Sequence, residues 1–123
     1  EEILSQYDFV VDGCDNFLTR YIVNDTCVKL GKPLIYGSIL GFEGQMATFN
    51  YQGSKNLRDI FPEPPNAEDV PNCSENGVLG SFPGIIGTMM AQEVVKVILD
   101  LDPLKNQLLL IDTKWWTNTK ISY

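Results

Sequence analysis

The stretch YDFVVDGCDNFLTRYIVNDTCVKLGKPLIYGS, residues 7–38, holds the unit on which the fold reading turns. Tyr7 to Asp12 is a short apolar run stopped by Asp12-Gly13, the pattern of a strand buried in an α/β sheet. Asp15 then offers a good N-cap for a helix over Asn16 to Leu30, closed by Gly31. Phe17, Leu18, Tyr21, Ile22 and Val28 follow the three-to-four spacing of one buried helix face. Lys32-Pro33 breaks that helix, and Leu34 to Ser38 predicts a second strand. Strand, helix and strand within about thirty residues make a βαβ unit, so the two strands should run parallel with a right-handed crossover.

Outward from this unit the pattern changes. Gln45 to Tyr51 alternates with period two, which predicts a half-exposed strand. Residues 52–80 form a long irregular stretch rich in Pro, Asn, Ser and Gly, and such loops in compact domains tend to carry function. A helix is predicted from Phe82 to Leu101, with Ile86, Met89, Met90, Val94, Val97 and Ile98 on its apolar stripe and Asp102-Pro103 as its stop. Gln107 to Asp112 reads as a strand, and Trp115 to Tyr123 as another. The Met89-Met90 and Trp115-Trp116 pairs read as core or interface packing. Gly77, Gly80, Gly84 and Gly87 are expected to permit close backbone packing. No repeat or linker interrupts the pattern, so residues 1–123 are read as a single α/β domain fragment with a mixed sheet and a long irregular crossover loop.

Composition narrows the function classes. At 123 residues and 44% hydrophobic, the chain can bury one core. A net charge of −7 with only nine Lys+Arg argues against a nucleic-acid or anionic-membrane surface. No apolar run approaches the roughly 18 residues of a membrane span, and the acidic start lacks a signal-peptide shape. Three cysteines without CxxC spacing make a disulfide framework improbable, so a reducing cytoplasm is the expected compartment. Histidine is absent, which removes the usual general base and the commonest metal ligand.

Two places can carry chemistry. Asp12-Gly13-Cys14-Asp15-Asn16 lies at the carboxyl end of the first strand, where open α/β sheets bind ligands. Asp15 there either holds Mg²⁺ on a polyphosphate or simply caps the helix. Arg20, five residues on, could reach a phosphate or carboxylate; spacing alone favours a solvated position. The second place is Asn72-Cys73-Ser74-Glu75-Asn76-Gly77, which sets a thiol in a polar, proline-flanked loop just before a helix start. Such a thiol is reachable and ionises more easily than one in an apolar run. No GxGxxG follows a strand and no P-loop is present, which disfavours a dinucleotide oxidoreductase. The acidic loop residues Asp59, Glu63, Glu68 and Asp69 make a poor metal site on their own.

In order along the chain, five pieces resemble the ThiF/MoeB/HesA family, the activating enzymes of ubiquitin-like sulfur-carrier proteins. They are Asp12 to Asn16 with Arg20, Gly41-Phe42-Glu43-Gly44-Gln45, Phe61-Pro62-Glu63-Pro64-Pro65, Asn72-Cys73 with Gly77-Val78-Leu79-Gly80, and Gly84-Ile85-Ile86-Gly87 with Glu93. The match runs from about residue 7 to residue 113. The resemblance implies the C-terminal half of a Rossmann-like activating-enzyme fold in a homodimeric enzyme. That enzyme uses ATP and Mg²⁺ to adenylate the C-terminal Gly-Gly carboxylate of its carrier. Asp15 matches the family's Mg²⁺-holding aspartate, with Asn16 and Arg20 beside it at the nucleotide. Cys73 matches the reactive loop cysteine, implicated in a thioester, acyl-disulfide or persulfide step.

The chain also departs from the family pattern. The glycine-rich phosphate loop, the cationic ATP contacts and the arginine finger would precede residue 1, so the chain alone is expected to bind ATP poorly. Asn56-Leu57-Arg58-Asp59 stands where many members carry half of a Cys₄ zinc site, so no zinc is predicted. The alternative from another class is a non-catalytic docking or dimerisation module for a carrier protein, with Cys73 incidental.

Overall fold

Asp12, Gly13 and the residues after them owe their position to a parallel strand pair, seen in a computed structural model that describes residues 1–66, 68–70 and 77–123. After a short α1 (Glu2–Ser5), β1 (Val10–Asp12) lies parallel to β2 (Leu34–Leu40), with Val10 opposite Leu34 and Asp12 opposite Tyr36. Between them crosses α2 (Phe17–Leu30). Then β3 (Glu43–Phe49), β4 (Gln107–Asp112) and β5 (Thr117–Ser122) add successively antiparallel neighbours, giving a mixed sheet in the order β1-β2-β3-β4-β5. Two more helices complete the described residues, α3 (Leu57–Ile60) and α4 (Phe82–Leu99). The βαβ unit and its parallel pair are as the sequence predicts.

The start of α2 differs by one residue. Asn16, not Asp15, is the N-cap: its side-chain oxygen accepts the Thr19 N–H at 2.8 Å. Gly31 ends the helix at φ 64°, as expected of a left-handed cap. The buried face differs more. Leu18 is 73% exposed and Ile22 56%, and Val28 is exposed too. Arg20, Tyr21, Asn24 and Cys27 are buried instead. Polar side chains can occupy that face because each finds a partner there. Asn24 Oδ1 accepts the Leu57 N–H at 3.0 Å and its Nδ2 donates to Asn56 at 3.2 Å.

Two apolar layers flank the sheet. Tyr21, Cys27, Leu34, Tyr36, Ala47, Phe49, Leu57 and Leu108 pack on the α2 side. Ile35, Met46, Phe82, Ile86, Met90, Leu104 and Ile111 pack on the α4 side. Strand β3 is therefore not half-exposed: Met46 to Phe49 are all buried, because α4 covers one face and the first cluster the other. Helix α4 stops at Asp100, in left-handed conformation at φ 53°, two residues before Asp102-Pro103. Ile86 and Met90 are buried on it as expected, whereas Ile98 is exposed. With 18 residues and a mean hydropathy of 1.4 it has the length and composition of a membrane span, although Gln92, Glu93 and Lys96 interrupt its apolar run. Its apolar side instead lies on the sheet, around a buried Glu93. That carboxylate accepts from Thr48 Oγ1 at 2.7 Å and Leu104 N at 2.8 Å, and pairs with Lys96 at 3.2 Å. The irregular stretch contains α3, closed by a capping box between Asn56 and Asp59. Trp115 and Trp116 sit in the β4–β5 turn, 70% and 76% exposed, so they are not core.

Close packing of α4 depends on glycines other than those expected. A Cβ at Gly77, Gly80, Gly84 or Gly87 would meet nothing within 4 Å among the described residues. One at Gly44 would lie 2.8 Å from the Phe82 ring and 2.9 Å from Ile86 Cδ1. Gly44→Ala is expected to destabilise the fold by about 1–3 kcal/mol through overpacking. Gly87→Ala, in open space within α4, should be neutral or stabilise by up to about 1 kcal/mol. Urea denaturation of the two variants beside the parent checks both signs.

Candidate functional site

The sheet delivers β1 to a tight turn, and the turn is held on both sides of one residue. Asp12, buried, accepts the Cys14 N–H on Oδ1 at 2.9 Å. Arg20 Nη2 donates to the Cys14 carbonyl at 2.9 Å. The next residue, Asp15, is exposed, and its carboxylate has no hydrogen-bond or ion-pair partner among the described residues. Because Asn16 does the capping, the capping alternative for Asp15 falls away and its carboxylate is free for a ligand. Asn16 takes the Thr19 N–H, which leaves the N–H groups of Phe17 and Leu18 open at the start of a 14-residue helix.

Arg20 is 7% exposed, not solvated. Its guanidinium lies 5.2 Å from the Tyr36 ring and 5.5 Å from that of Phe17, and Nη1 reaches Ser38 Oγ at 3.4 Å. Nε stands 3.9 Å from Asp12 Oδ2, and neither atom has a hydrogen-bond partner. The pair is a long-range charge balance rather than a close ion pair.

Beside this turn opens a cavity of about 450 Å³, walled by Phe17, Arg20, Tyr21 and Tyr36 and floored by Ser38 and Gln45. Its roof is the Phe61–Pro65 segment. Tyr21 Oη lies within hydrogen-bond distance of the Phe61 carbonyl at 2.7 Å and the Glu63 carbonyl at 3.0 Å. Arg58 braces the same segment: it grips Asp25 with Nε at 2.7 Å and Nη2 at 2.8 Å, and donates Nη1 to the Pro62 carbonyl at 2.8 Å. A second depression of about 410 Å³ crosses β2 to β5, past Leu40, Leu110, Thr117 and Thr119. Ser38 and Gln45 line both, so the two depressions adjoin at the β2–β3 pair, and the first reaches the start of α2 through Phe17 and Arg20.

The structure thus brings Asp12, Cys14, Asp15, Asn16 and Arg20 together. Cys73 lies outside the described residues. Glu63, at the roof, is the acidic-loop member that lines the groove. Asn24 and Ser38 shape the site without having been singled out by sequence, whereas Tyr21 is expected there only as a core position and Gln45 only as the end of a family-like piece. The signal available was polar residues at helical spacing within α2, Arg20, Asn24 and Cys27. Among the described residues no three His, Cys, Asp or Glu side chains converge on a metal position. A single free carboxylate next to a helix N-terminus suits Mg²⁺ that arrives on a polyphosphate, since Mg²⁺ commonly takes one or two carboxylates and fills its shell with phosphate oxygens and water.

Together these features define an α/β protein with a candidate site at the turn beyond the carboxyl end of a parallel strand. The ThiF family model matches residues 1–121, and the chain belongs to the ThiF family. It is 52% identical over 99 residues to a probable molybdopterin-synthase adenylyltransferase of Pyropia yezoensis, covering 80% of this chain and 26% of that protein. It is 48% identical over 117 residues to the sulfur carrier protein adenylyltransferase of Thermus thermophilus, covering 90% and 43%. A crystal structure of E. coli MccB superposes with a TM-score of 0.74 at 12% identity, over 94% of this chain and 36% of that one, and shows the same α/β fold. The chain spans from about a quarter to less than half of the length of these curated relatives.

The thiols beside the site are poor nucleophiles. Partial burial, then the hydrogen bond and charge of Asp12, push the Cys14 thiol above its ordinary value. Burial pushes Cys27 up to about 11. Raised values keep both protonated at neutral pH. Iodoacetamide should therefore label Cys14 more slowly than free cysteine at pH 7.5, accelerating only in alkali, and should reach Cys27 only on unfolding. Peptide mass spectrometry across a pH series checks this; labelling of Cys14 at the free-cysteine rate at pH 7.5 would contradict it.

Proposed function

We propose that this chain is the C-terminal part of an ATP-dependent adenylyltransferase. Its parent activates the C-terminal glycine of a ubiquitin-like sulfur-carrier protein, of the molybdopterin or thiamine type. The observation that carries the reading is the Asp15 carboxylate, exposed and without a partner among the described residues, at the start of α2 beside a cavity of about 450 Å³ walled by Phe17 and Arg20. The names of the curated relatives support it.

The chemistry asks little of acid–base groups. A carboxylate oxygen of the tail attacks the α-phosphorus of ATP, the bond from that phosphorus to the bridging oxygen breaks, and pyrophosphate leaves with the electron pair. The nucleophile is already ionised, so a chain without histidine is no impediment; alignment and charge neutralisation supply the rate. Bound Mg²⁺ would neutralise the phosphates, and Asp15 would hold it there. The open N–H groups at the start of α2 favour the same negative charge. Asn16 contributes by setting where those groups point. Ser38 and Gln45 offer hydrogen bonds to the main chain of the incoming tail. Cys73 acts after adenylation, in sulfur transfer.

The wider reading is a homodimer in a reducing cytoplasm, without zinc. The free thiols of Cys14 and Cys27 suit that compartment. Leu18 and Ile22, exposed one turn apart on α2, provide apolar area for a subunit contact. The isolated 123 residues are read as inactive.

The test is pyrophosphate exchange into ATP by the full-length polypeptide, with and without a Gly-Gly-tailed carrier. Exchange should require the carrier. Asp15→Asn should lower it by about 100-fold, roughly 2.7 kcal/mol of barrier, while Cys73→Ala leaves it near the parent level. Undiminished exchange in the Asp15 variant would sink the metal assignment.

A further inference from the structure

We infer that Arg20 is a positioning residue, which aims Asp15 by holding the Gly13–Asp15 turn and does not itself contact the nucleotide. The inference rests on the adenylation reading above and departs from the sequence expectation that Arg20 lies at the phosphates.

The argument begins with the peptide units around Cys14. Its N–H is held by Asp12 Oδ1 at 2.9 Å and its carbonyl by Arg20 Nη2 at 2.9 Å. Fixing both groups fixes the peptide plane that carries the Asp15 N and Cα, and so the point from which the Asp15 side chain departs. Both anchors are nine-tenths buried or more, at 4% exposure for Asp12 and 7% for Arg20, so they are rigid points. Asp15 itself is exposed and has no brace of its own among the described residues. Its aim must come from the turn.

The guanidinium is oriented for this work and for little else. Phe17 and Tyr36 pack against it, Nη1 faces Ser38 Oγ at 3.4 Å, and Nε faces Asp12. Swinging the fork outward to a phosphate would forfeit the Cys14 bond and the aromatic contacts, and would leave the Asp12 carboxylate buried without its counter-charge. That last loss alone is a costly one. Arg20 also joins the turn to Ser38 on the groove floor, so the ends of tail and metal are registered by one side chain. A lysine cannot substitute: its ammonium reaches one acceptor at a time and lacks the planar fork.

Two readouts in the full-length enzyme separate this from other roles, using Arg20→Lys, which keeps the charge, and Arg20→Gln. Hydrogen exchange should rise about fivefold or more in the peptide covering residues 11–17, with peptides from β2 and β3 unchanged. The Mg²⁺ concentration for half-maximal pyrophosphate exchange should rise about tenfold or more, with the KM for the carrier unchanged. Arg20→Lys should show both effects more weakly than Arg20→Gln. A raised KM for ATP with no change in hydrogen exchange would overturn the inference in favour of direct contact. Faster exchange throughout the sheet with an unaltered Mg²⁺ requirement would overturn it in favour of a purely structural role. If Arg20→Gln does not fold, Arg20→Lys decides alone by the same criteria. Asp15→Asn serves as the reference: if it leaves Mg²⁺ dependence untouched, the functional reading fails, whereas an effect in Asp15→Asn without one in either Arg20 variant defeats only the positioning role.

Discussion

Everything at the site follows from the polar face of α2 being buried. Arg20, Tyr21 and Asn24 sit where a helix on a sheet ordinarily places leucine, and each is tied to a different part of the fold. Arg20 reaches back to the turn after β1, Tyr21 reaches up to the Phe61 and Glu63 carbonyls, and Asn24 caps the entrance of α3. A helix docked through apolar contact alone would tolerate sliding and rotation. One docked through directional bonds to three separate segments has a single register, because each bond left unmade inside the protein costs more than a made one returns. The turn, the roof of the groove and its inner wall are thereby placed relative to one another by residues spanning little more than one helical turn.

That arrangement explains which parts of the fold were legible in the sequence. Strand and helix positions follow from periodicity and punctuation: Gly31 ends α2 and Gln107–Asp112 is a strand because these signals are local. The orientation of α2 was not legible, since apolarity points to Leu18 and Ile22 whereas the partners of Arg20 and Asn24 come from Cys14, Asn56 and Leu57. No local pattern announces a donor 33 residues away. The exposure of β3 was misjudged for a related reason. Period two distinguishes strand from helix, but whether the second face is covered depends on α4, which packs there because Gly37 and Gly44 present no side chain to it. Glycine spacing within α4 was the wrong place to look; the receiving surface carries the small residues.

At the strand-to-helix turn, sequence picked the wrong cap. Asp15 and Asn16 are both good N-caps, and propensity does not choose between neighbours. The structure assigns the task to Asn16, and this matters chemically. A capping carboxylate would be bonded to the helix N–H groups and partly neutralised by them, with little left for a cation. An amide does the same capping without charge. The chain therefore separates two tasks that one aspartate could have merged, and leaves the exposed Asp15 carboxylate without a partner among the described residues.

Burial of Arg20 completes this division of charge. An exposed cation five residues from Asp15 would pair with that carboxylate in the absence of any ligand, and a divalent cation would have to displace it. Held instead by Phe17, Tyr36 and the Cys14 carbonyl, with Asp12 as its distant counter-ion, Arg20 is withdrawn from competition. The same withdrawal lets its hydrogen bond stiffen the backbone beneath Asp15. Two acidic and one basic side chain within nine residues thus resolve into a buried pair and one exposed carboxylate. The order of exposure, with Asp12 and Arg20 inside and Asp15 outside, is the feature on which the proposed cation role of Asp15 rests.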